Sequence, residues 1–375
     1  MNSLPNSHEE FLDLLQLSLA PGVGPKTMHT LLNHFSSARN VLKASSAELQ
    51  AIPHIGPKVS AGIKQADLRV AAEQTLARCQ SGGITLVPFG SPAYPPMLAE
   101  IYDPPILLYC QGELLAQDQL SLAIVGSRNC TSYGIRQAEK LAAGLSRAGF
   151  TIVSGLARGI DGAAHRGALE AGGRTLAVSA TGLSNVYPPE HRELAAEISQ
   201  NGSFLSEAAL DQAPIPGIFP LRNRIISGLT LGVIVVEAAR KSGAMHTVRH
   251  AQEQGREVFA VPGRLDSPAS EGCHDLIRDG VALIRGVEDV LEALGPLIKP
   301  VPKSAESIVL TPRELLLNEQ EQQVLNAVHE DPRPIDDVLR NCTLDSSRVL
   351  STLTVLEMKR LVRRLPGGQI VRVTN

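Results

Sequence analysis

The sequence predicts an α/β protein. Its centre is a doubly wound parallel sheet, with a helical domain before it and a small domain of helices and a hairpin after it. Three observations carry this. First, residues 121–169 read as apolar run, small-residue turn and helix, twice in succession. Leu122-Ala123-Ile124-Val125 and Thr151-Ile152-Val153 suit buried parallel strands. They break at Gly126-Ser127-Arg128 and Ser154-Gly155, and apolar residues at helical spacing follow each break. Tandem βα units of this kind build sheets covered by helices. Second, the alternation continues downstream through Leu176-Ala177-Val178, Ser203-Phe204-Leu205, Val233-Ile234-Val235-Val236 and Val258-Phe259-Ala260-Val261. Third, the two ends of the chain lack this alternation and read as helical, the last with a glycine-turned hairpin.

Taken in order, the chain is helical to about residue 65. Apolar residues Phe11, Leu14 and Leu15 precede the turn Pro21-Gly22-Val23-Gly24-Pro25-Lys26, and a similar unit recurs as Ile52-Pro53-His54-Ile55-Gly56-Pro57-Lys58. Both resemble a helix-hairpin-helix, whose turn amides can meet a DNA phosphate. A compact pair of helices with no ligand fits the same residues. A helix over 70–78 leads to the strand Ile84-Thr85-Leu86-Val87. Prolines 95, 96, 104 and 105 mark this strand and Ile106-Leu107-Leu108-Tyr109 as edge or connecting elements. The sheet then runs to about residue 294. A linker with prolines and lysines follows. The tail has helices over 320–328, 335–339 and 345–359 and a hairpin turning at Gly367-Gly368. The expected domains are therefore 1–80, 81–294 and 318–375, with a linker at 295–317.

Composition bounds the function. With 375 residues, 43% hydrophobic and 19% charged, the chain has the make-up of a globular protein of two or three domains. A formal net charge of −3 leaves any DNA contact to a local basic patch. Aromatics are 3% and tryptophan is absent, so extended stacking platforms are not expected. The five cysteines have no metal-ligand spacing, and neither a metal nor a cofactor is expected. No basic-then-apolar leader opens the chain and no apolar run reaches membrane-spanning length, so the expected location is cytoplasmic, with no membrane partner.

Ile124-Val125-Gly126-Ser127-Arg128 and the run from Ser154-Gly155-Leu156-Ala157-Arg158-Gly159 through Ile160-Asp161-Gly162-Ala163-Ala164-His165 resemble the DNA processing protein A family, also called Smf. So do Phe219-Pro220, Arg222-Asn223-Arg224 and Gly228-Leu229. The resemblance covers nearly the whole chain and is most specific over 122–284. It implies an extended Rossmann-like core, a helix-hairpin-helix (SAM-like) start and a winged-helix tail. It further implies a non-catalytic, homodimeric protein that binds single-stranded DNA and loads the recombinase RecA onto it in natural transformation.

The candidate DNA-binding residues are Gly126, Ser127, Arg128, Ser154, Gly155, Arg158, Gly159, Phe219, Arg222, Asn223, Arg224, Lys241, Ser242 and Gly243. Arg128, Arg222, Arg224 and Lys241 are expected to converge at the strands' carboxyl edge and meet phosphates. Phe219 either offers its ring to a base or belongs to the core. Arg158 either meets DNA or braces Asp161 or a helix end. Three departures from the family pattern stand out. Pro216 occupies a place often basic, Ala244-Met245-His246-Thr247-Val248 replaces Ser-Leu-x-Thr-Ala, and His274-Asp275 precede Leu276-Ile277 where an asparagine is usual.

Other readings compete. Ser154, Asp161 and His165 suggest a catalytic triad, but no Gly-x-Ser-x-Gly elbow is present and the resemblance makes the trio structural. No Gly-x-Gly-x-x-Gly run follows a strand, which argues against NAD. A nucleotide-binding or nucleotide-cleaving enzyme is the alternative; Glu207 and Glu237 are its candidate carboxylates, neither with an evident partner. In the third tail helix, Arg348 and Lys359 are offset by Asp345 and Glu357, which leaves protein docking and weak duplex binding both open. Leu276, Ile277, Val290 and Leu291 pack under the final core helix or, as the resemblance implies, meet a second copy across a two-fold axis.

Overall fold

The computed structural model describes residues 8–65, 67–295, 301–304, 307–309, 314, 317–329 and 331–373. The core sheet contains β1 Ile84–Pro88, β2 Leu107–Gly112, β3 Ser121–Val125, β4 Thr151–Ser154, β5 Thr175–Ser179, β6 Gly202–Ser206, β7 Gly232–Val235, β8 Glu257–Ala260 and β9 Ala282–Leu283. Their spatial order is β1-β2-β6-β5-β4-β3-β7-β8-β9. From β6 through β9 all neighbours are parallel, while β1 and β2 join antiparallel at one end. The chain winds from β3 out to β6, then returns to set β7 on the other side of β3. The strand order reverses between β3 and β7. In open α/β sheets such a reversal leaves a crevice beyond the carboxyl ends.

The pleat explains the continuous apolar runs. In β3, Leu122 and Ile124 pack with Leu141, Leu145, Ala163 and Ala164 of the helices Ser132–Arg147 and Ile160–Glu170. Ala123 and Val125 point the other way, toward Ile225, Ile226 and Val248 of Ile218–Gly228 and Ala244–Glu253. A strand covered on both faces needs apolar residues at every position.

The proline argument holds for β1 alone. β1 is the edge, but β2 is interior, between β1 and β6. Its prolines, Pro104 and Pro105, stop just before the strand, so no ladder N–H is lost.

At the amino end the two repeated turns pack against each other. Gly22 has φ +82, and His54 holds the corresponding left-handed place at φ +69. Leu12 and Leu15 of this region join Tyr109 and Phe204 in a core shared with the sheet. The His29 imidazole is 2.8 Å from the Pro104 carbonyl. At the other end, helices Glu319–Asn326, Ile335–Asn341 and Ser346–Met358 and the hairpin Val362–Leu365/Gln369–Arg372 enclose their own apolar cluster. Much of the expected linker, residues 296–300, 305–306, 310–313 and 315–316, lies outside the described residues. Between those stretches 301–304 pairs antiparallel with 307–309, a hairpin not expected there. The β-branched Val301, Ile308 and Val309 favour extended backbone.

The proposed two-fold patch needs correction. Leu276, Val290 and Leu291 are 6%, 0% and 3% exposed and sit inside the core clusters; only Ile277 is half-buried. Helices closing a sheet spend their apolar stripe on that sheet first. Among the described residues, no helix is long and apolar enough to cross a membrane.

Candidate nucleic-acid interface

A cavity of about 450 Å³ opens at the β3–β7 reversal. Four segments build it, the one after β4 with Ala157 and Asp161. The turn after β3 supplies Gly126, Ser127, Arg128 and Asn129; the turn after β7 supplies Lys241, Ser242 and Gly243; the start of helix Ile218–Gly228 supplies Phe219, Pro220, Arg222 and Asn223.

The first turn is shaped by crowding. A Cβ on Gly126 would sit 2.6 Å from Ile160 Cγ1 and 2.7 Å from the Glu237 carbonyl oxygen. The Ser127 amide donates to that carbonyl at 2.6 Å, tying the exits of β3 and β7 together. Gly159, at φ +74, lets the Ile160–Glu170 helix start directly against the Ser127 and Arg128 carbonyls.

Arg128 and Lys241 are exposed on the cavity rim, and neither has a carboxylate partner among the described residues. The Arg128 guanidinium carbon stands 5.1 Å from the centroid of the Phe219 ring. Phe219 is half-buried and also packs on Tyr187, with ring centroids 5.6 Å apart. Phe219 is thus neither a core residue nor an open platform.

Arg222 lies beneath the rim. It is 6% exposed; Nη1 donates to the carbonyls of Gly155, at 2.8 Å, and Val178, and Nε to Asn223 Oδ1 at 3.2 Å. Gly155 leaves room for it, since a Cβ there would be 2.5 Å from Arg222 Nη2 and 2.7 Å from Asp161 Oδ2. Asp161 in turn accepts from the Gly155 and Ala157 amides. Burial pushes the Asp161 carboxyl up from its ordinary value, opposed by Arg222 and these amides. Arg222 therefore braces the floor and lends positive potential, rather than reaching out as a phosphate ligand.

Further sequence expectations change. Arg224 does not join the cavity. It is 4% exposed; its Nη2 donates to both Glu207 carboxylate oxygens, at 2.7 and 2.9 Å, and its Nε is 3.0 Å from Asp103 Oδ2. Ser154 is fully buried, and its hydroxyl donates to the Ile124 carbonyl at 2.6 Å. Gly155 and Gly159 underlie the site and do not line it. Arg158 is exposed and pairs with Glu190, just before the helix Arg192–Asn201, the helix-end role among its alternatives, and not with Asp161.

The carboxylates of the alternative reading are both engaged. Glu207 is held by Arg224. Glu237, 2% exposed, accepts from the Thr131 amide at 2.8 Å and its hydroxyl at 2.7 Å, at the start of helix Ser132–Arg147. Both carboxylates thus have partners that the sequence did not reveal. Ser154, Asp161 and His165 bond to three different places. His165 Nδ1 is 2.7 Å from Thr175 Oγ1, which donates to Ile152, and burial pushes this imidazole down to about 3. Among the described residues no His/Cys/Asp/Glu group could hold a metal.

The binding candidates read from the sequence left out Asn129, His246 and Thr247, which line the cavity. Their signal was positional: Asn129 shares the Arg128 turn, and His246 lies within the first turn of the helix that starts after Gly243.

This geometry can be set beside known proteins. The profile of the DNA recombination-mediator protein A family matches residues 85–295, a winged-helix profile of the same family matches 310–368, and a SAM-like helix-hairpin-helix tandem matches 11–69. Protein Smf of Escherichia coli is 40% identical over 303 residues, 80% of this chain and 81% of that protein. The DNA processing protein DprA of Streptococcus pneumoniae is 46% identical over 198 residues, 53% of this chain and 70% of that one. An X-ray structure of DNA processing protein A from Streptococcus pneumoniae superposes with a TM-score of 0.64 at 34% identity, covering 77% of this chain and 98% of that one. Its Helicobacter pylori counterpart, described for its single-stranded DNA binding mode, gives 0.51 at 34% identity, covering 56% and 95%. A match across more than half the chain, joined by relatives aligned over most of their own length, makes this chain a member of the DNA recombination-mediator protein A family.

Proposed function

We propose that the cavity at the sheet reversal is a phosphate site for single-stranded DNA, and that the protein binds this strand without turning it over. One observation carries the reading. Arg128 and Lys241, far apart in sequence, are exposed on one rim and neither forms a salt bridge among the described residues; Asp161, which lines the cavity, acts on Arg128 without pairing with it. Unpaired cations beside glycine turns suit phosphates, which provide affinity without sequence preference. Ser127, Asn223, Ser242 and Gly243 add neutral polar groups around them. The name of the Helicobacter pylori relative's structure supports the choice of single strands.

Family membership supports two finer assignments: loading of the recombinase RecA onto the bound strand, in DNA uptake by transformation, and action as a homodimer in the cytoplasm. A two-fold contact at the end of the core would use what that end exposes, Ile277 and the short edge strand β9. Of the domains 1–80, 81–294 and 318–375, joined by a linker at 295–317, the last is supported by an apolar cluster of its own, whereas the clusters of the first take in Ile106 and Tyr109 of the core.

The test is titration of labelled single-stranded and duplex oligonucleotides between about 50 and 200 mM salt. Single strands bind more tightly, and affinity falls with salt as counterions are released. Equal affinity for both forms, or a flat salt response, defeats the reading. RecA ATP hydrolysis on single-stranded DNA, started with and without the protein, tests the loading step.

A further inference from the structure

The helix Ser132–Arg147 carries a file of cations away from the crevice. Its cap, Thr131, is tied to Glu237 through amide and hydroxyl, just past the Arg128 turn. Ala138, Leu141, Ala142 and Leu145 face the core. Arg136, Lys140 and Arg147 are exposed on the opposite side. At about 100° per residue they fall within about 40° of one another around the axis, and at about 1.5 Å per residue the file is about 16 Å long.

Among the described residues, none of the three forms an ion pair or a side-chain hydrogen bond. Glu139 of the same helix pairs with none of them, and neither do Glu288 and Glu292 of helix Val287–Leu294, which packs on Gly144. Other exposed arginines are held by carboxylates: Arg78 by Asp211, Arg240 by Asp275 and Arg285 by Asp289. Helix stability does not account for the file. Arg147 suits the negative carboxyl end, but Arg136 and Lys140 lie away from it and repel each other four residues apart.

A single file of free cations on a rigid helix, leading out of a phosphate site, fits one polyanionic backbone. We propose that a single strand held in the crevice continues over this helix, where its phosphates meet Arg136, Lys140 and Arg147. This rests on the phosphate-site reading above but uses residues outside that site.

The experiment titrates oligothymidylates of about 5 and about 16 nucleotides, which bracket the site sizes of single-strand-binding folds, and a duplex of the longer length, across salt. The proteins are wild type, Arg128→Ala and the triple variant Arg136→Gln, Lys140→Gln, Arg147→Gln, which keeps helix propensity. The wild-type salt slope is steeper on the long strand than on the short one by about 2, from three contacts at about 0.7 each. The triple variant loses that difference and binds the long strand about tenfold more weakly, while it binds the short strand as wild type does. Lys140→Gln alone, which serves if the triple variant does not fold, lowers the long-strand slope by about 0.7. Wild-type affinity and slope of the triple variant on the long strand overturn the proposal. So does an equal loss on both strand lengths, the mark of a diffuse field, and so does an equally large loss on the duplex, the mark of a duplex surface. Each of these results leaves the crevice reading standing. If instead Arg128→Ala binds the short strand as wild type does, the phosphate site fails, and the track that starts from it fails too.

Discussion

The crevice beyond β3 and β7 and the helix Ser346–Met358 of the tail both carry positive residues where a DNA-binding protein would want them. They treat those charges differently. In the crevice, Arg128 and Lys241 form no salt bridge among the described residues, although Asp161 also lines it. On the tail helix, Arg348 is 3.4 Å from Asp345, and Lys359 is 2.7 and 2.8 Å from the Glu321 carboxylate oxygens. The outward face of that helix instead shows Leu350, Val355 and Met358, the last 81% exposed. A cation left unpaired is better placed to take a phosphate than one already held by a carboxylate. By this measure the crevice, rather than the helix Ser346–Met358, is the site we propose.

The sharpest break of the comparison lies inside the core. Arg224 and Arg128 are both binding candidates from the sequence, but only Arg224 is buried against carboxylates. Arg224→Ala strands Glu207 without its partner and costs about 3–5 kcal/mol of stability, the usual loss when half of a buried pair is removed. Chemical denaturation measures this. Any DNA-binding loss in Arg224→Ala tracks the unfolded fraction, and a well-folded Arg224→Ala that cannot bind would return this arginine to the site.

Next come the free cations. Arg128→Ala and Lys241→Ala each weaken single-strand binding by about tenfold, the worth of a charged hydrogen bond. Each lowers the salt slope by about 0.7, the loss of one phosphate contact on a single strand. Melting temperatures stay at the wild-type value, since an exposed turn residue buries little apolar area. A stability loss alongside the binding loss would mean that Arg128 props its turn.

The contrast also shows what sequence could and could not reveal. The strands and their exit turns were legible because a buried parallel strand needs an unbroken apolar run and the tight turn after it needs glycine. Arg128 and Lys241 followed from that, as residues of exit turns. Arg222 and Arg224 were assigned together, although residues two apart on a helix point about 200° from each other. The structure separates them accordingly, one to the cavity floor and one to Glu207. The partners of Glu207 and Glu237 were not legible at all. Thr131 lies 106 residues from Glu237, and only the finished sheet brings the β3 turn to it. The buried state of Leu276, Val290 and Leu291 was hidden for a related reason, since a pattern marks an apolar stripe but not what covers it.

A buried titratable group away from both regions gives a smaller effect. His165 is fully buried and held neutral, its value pushed down to about 3 by burial. In the unfolded chain an imidazole takes a proton below about pH 6.5. The unfolded state then binds more protons than the native one, so stability is full above that pH and falls as pH drops from about 6.5 toward 3. The slope from this residue is about 1.4 kcal/mol per pH unit in that window. His165→Gln, which can still donate to Thr175, is less pH-sensitive there; an unchanged slope would show that His165 is protonated in the native state.

The smallest effect is expected where the comparison is most exposed to failure, at the tail helix. Arg348 and Asp345 have side chains 65% and 63% exposed. A surface pair of this kind contributes about 0–1 kcal/mol to stability, so Arg348→Ala leaves the fold intact. It also removes a charge that Asp345 already offsets. Arg348→Ala therefore changes single-strand affinity by less than about twofold, within the same titration that gives tenfold for Arg128→Ala. Its salt slope stays that of the wild type, because no phosphate contact is lost. Should Arg348→Ala weaken binding as much as Arg128→Ala does, with a matching drop in slope, Asp345 does not hold that charge in solution. The tail would then be a second strand-binding surface, and pairing would no longer separate the two regions.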